Sequence, residues 1–137
     1  GGVADTVIDS NRSDDSAEVT LVSVVGADET GKALVAHCED AGVKARATDE
    51  ESLPGTASYV AMLDGDGELV AAVADMRLLD VMTAEFVDRH ANTVAGTAVV
   101  VADGNLPPGG LARLVGLCRR EGTPLVFEPT SVVKSVR

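Results

Sequence analysis

The sequence predicts an α/β fold, a mostly parallel sheet flanked by helices, with a small β-hairpin flap. Three observations carry that expectation. Within residues 97–130, apolar runs from Ala98 to Ala102 and from Pro124 to Phe127 bracket a segment of helical period. Short β-branched runs around an amphipathic helix read as a βαβ unit with parallel strands buried on both faces. A second β-branched run, at 17–26, is followed directly by helix-starting residues. Between these regions, Asp64-Gly65-Asp66-Gly67 separates two apolar runs. Asp-Gly in that setting signals a hairpin, on the expectation that both central residues take positive φ.

Composition narrows the function classes. A chain of 137 residues is one domain's worth, and its 45% hydrophobic content excludes a disordered chain. No apolar run is long enough to cross a bilayer, and the acidic first twenty residues do not resemble a signal peptide. The net charge of −11 repels a phosphate backbone, and 2% aromatic residues make no stacking platform, so nucleic acid is not an expected partner. A local anion site remains compatible with that charge. Cys38 and Cys118 have no CxxC or His-Cys spacing and read as buried free thiols, which favours a reducing, intracellular compartment. His37 and His90 have no third ligand at workable spacing, and His90 lies near a helix end where an imidazolium is tolerated.

Taken in order, Val3, Val7 and Ile8 form a short helical face that Asn11 to Ser16 would end. Residues 17–26 read as a buried strand. Asp28-Glu29-Thr30 starts a helix with its acidic residues at the N-terminus, where the macrodipole favours them. Ala33, Leu34, Ala36, Cys38 and Ala41 supply its expected core face, and Gly42 its stop. Residues 43–55 read as a short extended piece and an acidic loop. The hairpin follows at 56–75, so a flap of about 43–75 is expected to stand off the main sheet. Residues 76–82 connect it to a helix capped by Thr83 and ending near Ala91 or Asn92. After the βαβ unit, Ser131 to Arg137 reads as the opening turn of another helix.

In a sheet of this class, ligands collect beyond the carboxyl ends of the strands. Asp103, Asn105, Glu128 and Thr130 all fall on that edge. Residue types alone leave turn chemistry open for Asp103 and Asn105, because Asp-Gly-Asn-x-Pro satisfies a tight turn without a ligand.

Five stretches, GGVA (1–4), LVSVVGADETGKAL (21–34), TASYVAMLDGDGELVAAVADM (56–76), VVVADGNLPP (99–108) and FEPTSVVK (127–134), stand in an order that resembles the ribokinase-like (PfkB) family of sugar and nucleoside kinases, and within it the pseudouridine kinases. The resemblance spans nearly the whole chain, and DGNLP with FEPTS in register is its most specific part. It implies that Gly1 and Gly2 let the backbone approach ribose hydroxyls, although a tag scar or a disordered end would read the same. Thr6 holds the position where the family usually has Asn, and a polar NRSDDS replaces an alanine- and leucine-rich helix. Ser58 and Tyr59 match the strand that closes over substrate; an ordinary hairpin with one packed Tyr is the alternative. Asp103, Asn105 and Glu128 match the loops facing the sugar or base. Thr130 and Lys134 match the phosphate side, where Lys134 also reads as a plain surface lysine.

The family carries its general base in a Gly-Ala-Gly-Asp segment and a magnesium-linked Asn-x-x-Glu, and neither occurs in these 137 residues. The resemblance therefore implies ATP and magnesium for a parent protein and neither for this chain alone. That parent would transfer the γ-phosphate to the 5′-hydroxyl of pseudouridine or a related ribosyl substrate. The chain is expected to be an inactive substrate-side fragment, or alternatively a degenerate, non-catalytic binding or assembly module. An uncovered sheet edge would then be closed by a C-terminal half, another chain, or a second copy through the flap.

Overall fold

The structure is a computed structural model that describes residues 17–50 and 54–130. The expectations for 1–16, with Gly1, Gly2 and Thr6, and for 131–137, with Lys134, lie outside the described residues. The elements run β1 (Thr20–Gly26), α1 (Glu29–Asp40), β2 (Lys44–Glu50), β3 (Ser58–Leu63), β4 (Leu69–Asp75), a 3-10 helix (Arg77–Val81), α2 (Ala84–Arg89), α3 (Ala91–Val94), β5 (Val100–Asp103), α4 (Pro108–Glu121) and β6 (Leu125–Glu128). β1 pairs parallel with β2, β5 pairs parallel with β6, and β3 pairs antiparallel with β4. The α/β class with a hairpin flap is thus present, with the strands hydrogen-bonded as three separate pairs.

Two apolar clusters hold the helices to the parallel strands. Val24, Leu78, Met82 and Phe86 form one; Val87, Val94, Ala102, Leu114, Leu117 and Cys118 form the other. α2 joins them, because its neighbouring Phe86 and Val87 each enter a different cluster. Leu106 packs against both. Arg113 of α4 pins Asp88 of α2 through its Nε at 2.6 Å, an exposed pair that orients more than it stabilises. Burial keeps the Cys118 side chain at 2% exposure and pushes its thiol pKa up.

Several sequence expectations change. The flap is shorter than 43–75, because residues 44–50 pair parallel with β1 in the body and only 58–75 form the hairpin. Only Gly67 of the Asp-Gly-Asp-Gly turn has positive φ, at 87°. Asp64 supplies what a second such residue would have, its Oδ1 accepting from the N–H groups of Asp66 and Glu68, both at 2.9 Å. α1 does not pack through Leu34, which is 44% exposed; its inward row is Gly31, Val35 and Cys38. That row follows from the close approach of Gly31 to β1, which rotates the helix face. β5 and β6 are not buried on both faces: Val101 is 68% and Val126 52% exposed, because among the described residues helices pack on one face only. The helix after Thr83 breaks at His90 and resumes to Val94. His90 is not a favoured imidazolium site, since burial and then the neighbouring Arg89 charge push its pKa down.

Candidate functional site

The carboxyl ends of β5 and β6 bring two loops together. Asp103 stands opposite Glu128 in the strand register, and each strand turns away immediately afterward. The Gly104 N–H donates to the Thr130 hydroxyl across 3.1 Å, so the loops are tied to each other as well as placed side by side. Gly104 is buried there, and a Cβ on it would overlap the Pro129 carbonyl oxygen. Glu128 Oε1 accepts the Thr130 N–H at 2.9 Å, which holds Thr130 in the left-handed region at φ 63°. A β-branched residue rarely sits there, and such conformations persist only where their surroundings over-determine them.

Asp103 organises its own loop. Its Oδ1 accepts the Asn105 N–H at 3.0 Å and its Oδ2 accepts the Asn105 carboxamide N–H at 2.7 Å. Turn chemistry is therefore present, and the loops converge as well. Asp103 and Glu128 remain exposed carboxylates on one edge, with lone pairs beyond those the loop uses. Such groups suit the hydroxyl donors of a polyol or ribose. Leu106 anchors the loop from below, where it packs against both apolar clusters. An apolar hollow of about 470 Å³, lined by Gly104, Leu106, Pro108, Leu111, Ala112, Val115 and Phe127, lies alongside. None of Asp103, Asn105, Glu128 or Thr130 lines it.

Ser58 and Tyr59 open β3, both exposed. Successive strand residues point to opposite faces, so only one of the two can look toward any given cleft. Among the described residues no hydrogen bond joins either side chain to Asp103, Glu128 or Thr130. In the sequence, Asp28 stands among the acidic residues at the start of α1 and Thr56 opens a strand-like run. The two are hydrogen-bonded, and the glycines of GADETG were the available signal.

No family model matches the chain. The chain is 31% identical over 117 residues to the pseudouridine kinase of Escherichia coli (strain K12), across 85% of this chain and 37% of that protein. It is 30% identical over 89 residues to YeiI, an uncharacterized sugar kinase of the same organism, across 65% of this chain and 25% of that one. A solved carbohydrate kinase from Agrobacterium tumefaciens superposes with a TM-score of 0.80 at 29% identity, over 88% of this chain and 40% of its own. The chain thus spans 37% and 25% of the length of these two curated relatives.

Proposed function

The chain belongs to the ribokinase-like (PfkB) family of carbohydrate kinases, and we propose that it forms the acceptor-binding side of a kinase acting on the 5′-hydroxyl of pseudouridine or a related ribosyl compound. The observation that carries this is the junction of the β5 and β6 loops, where Gly104 and Thr130 tie Asp103, Asn105 and Glu128 into one polar edge. Asp103 and Glu128 would accept hydrogen bonds from ribose hydroxyls, and Asn105 would read a hydroxyl or the base edge. The flap would exclude water from the acceptor, which competes with it in phosphoryl transfer.

The kinase relatives imply ATP and magnesium for the family. Among the described residues no three His, Cys, Asp or Glu side chains stand together as a metal set. Magnesium in phosphoryl transfer is bound by one or two carboxylates together with the phosphates themselves, so the chemistry that falls to these residues is that of the acceptor. Their work is to bind and orient the acceptor.

The test is calorimetric titration of the full-length protein with pseudouridine, uridine and ribose. Binding of pseudouridine that weakens about tenfold or more in Asn105→Ala, with unchanged circular dichroism, supports the reading, since a lost hydrogen bond that strands a polar partner costs about 1–3 kcal/mol. Unchanged affinity in that variant reduces the loop to a turn. Stronger binding of ribose than of pseudouridine moves the substrate class to free sugars.

One observation favours the second reading, an assembly module. Val60, Met62 and Val73 are 63–74% exposed and share one face of the flap. Such a contiguous apolar face suits a second copy of this chain.

A further inference from the structure

The GADETG stretch does more than start α1. Asp28 caps that helix by accepting the Gly31 N–H on Oδ1 at 2.8 Å. The same carboxylate reaches 28 residues along the chain, where Oδ2 accepts the Thr56 N–H at 2.8 Å and Oδ1 accepts the Thr56 hydroxyl at 2.6 Å. The Thr56 hydroxyl in turn accepts the Gly26 N–H at 3.0 Å. One side chain therefore joins the end of β1, the start of α1 and the limb leading into the flap.

The two glycines make that junction sterically possible. A Cβ on Gly26 would overlap the Thr56 nitrogen, and one on Gly31 would overlap the Gly26 carbonyl oxygen. A helix cap alone would need neither Thr56 nor a bare Gly26. The flap itself has little else to hold it, since every residue of β3 and β4 is exposed. Ala57 packs against the cluster of Val24 and Phe86 on the entering limb, and Leu78, 1% exposed, anchors the leaving one.

We propose that Asp28 is a positioning residue that latches the flap to the body through Thr56, so that the hairpin pivots from a fixed point beside the carboxyl end of β1. What the flap covers rests on the kinase reading; the latch itself does not. The carboxyl is held down to about 2, first by the Thr56 hydroxyl and then by the Thr56 and Gly31 N–H groups. It is ionised at any physiological pH, which makes the latch constitutive and not a pH switch.

The experiment is amide hydrogen exchange on the full-length protein without ligand, comparing Asp28→Asn, Thr56→Val and Thr56→Ser. Asn caps helices as well as Asp does, but its NH2 group sets a donor against one of the donors that the carboxylate accepted. The expected result is faster exchange, tenfold or more, at Thr56 in Asp28→Asn while Gly31 and the rest of α1 stay protected. Thr56→Val should accelerate exchange at Gly26, which loses its acceptor, and loosen the flap amides. Thr56→Ser should restore the wild-type pattern.

Unchanged protection at Thr56 in Asp28→Asn, or loss of protection across α1 and Thr56 together, overturns the latch in favour of a plain helix cap. Should Asp28→Asn not fold, Thr56→Val decides by the same readout, with unchanged Gly26 and flap exchange overturning the proposal. A pseudouridine titration run beside it separates the two ideas. Absent binding in the wild type rejects the substrate reading and leaves the exchange result standing. Where wild type binds, a latch variant is expected to weaken affinity fivefold or more with the Asp103 loop amides unshifted, and equal affinity overturns the positioning role.

Discussion

The Gly104 N–H and the Thr130 hydroxyl meet at 3.1 Å, 26 residues apart in sequence, and this bond makes one edge of two loops. The junction admits no side chain on the first residue, because a Cβ there would overlap the Pro129 carbonyl oxygen. Gly104→Ala is therefore expected to push the loops apart, at a cost of about 1–3 kcal/mol in stability. On the proposed acceptor-binding role, nucleoside affinity should fall by about tenfold or more, measured by calorimetry. A variant that binds as wild type would show that the loop junction does not shape the site.

Leu117 is fully buried in the cluster shared by α2, α3, β5 and α4. Leu117→Ala should cost about 2–5 kcal/mol in urea unfolding, as transfer and cavity losses add. Val73→Ala on the flap, where the side chain is 74% exposed in the single chain, should stay within about 0.5 kcal/mol at protein concentrations low enough to keep the chain monomeric. Equal losses for the two would mean that the flap is buried in the protein as it exists in solution.

Acid should weaken the fold through two carboxylates. Asp28 is held at about 2 by Thr56 and Gly31, and Asp75 at about 2 by the guanidinium and N–H of Arg77, both below the ordinary 3.8. A lowered folded-state pKa contributes stability that is complete above the unfolded value and lost as pH falls through the folded one. The loss should therefore fall between about pH 4 and about pH 2. In Asp75→Asn, the stability gap to wild type measured by urea unfolding should close across that window. A gap that stays constant from pH 5 to pH 2 would rule out the Asp75–Arg77 pair as its source.

The flap surface predicts self-association. Val60 pairs with Val73 in the hairpin register, and Met62 lies on the same face. A double change Met62→Lys and Val73→Lys places charge on that face and should lower the sedimentation coefficient to that of a monomer. Wild-type protein that already sediments as a monomer at high concentration would remove the flap as a self-association surface.

Local patterns in the sequence were enough for most of the elements, the 3-10 helix at Arg77–Val81 and the break at His90 excepted. β-branched runs marked β1 and β5, the acidic residues of Asp28-Glu29-Thr30 marked the start of α1 through the macrodipole, Thr83 marked the start of α2 as a cap, and Asp-Gly repeats marked the hairpin. The edge carrying Asp103 and Glu128 was also legible, because parallel strands flanking one helix must end on the same side. Tertiary packing decided the rest. Whether β2 belonged to the flap or the body turned on which strand it paired with, and a short mixed run such as residues 44–50 does not encode its partner. The inward row of α1 was set by the contact of Gly31 with Gly26, which no hydrophobic periodicity reports. The bonds from Asp28 to Thr56 and from Gly104 to Thr130 join residues 28 and 26 positions apart. Such pairs arise only when strands and helices have already brought distant backbone together, so their physical basis lies in the fold and not in any local stretch of chain.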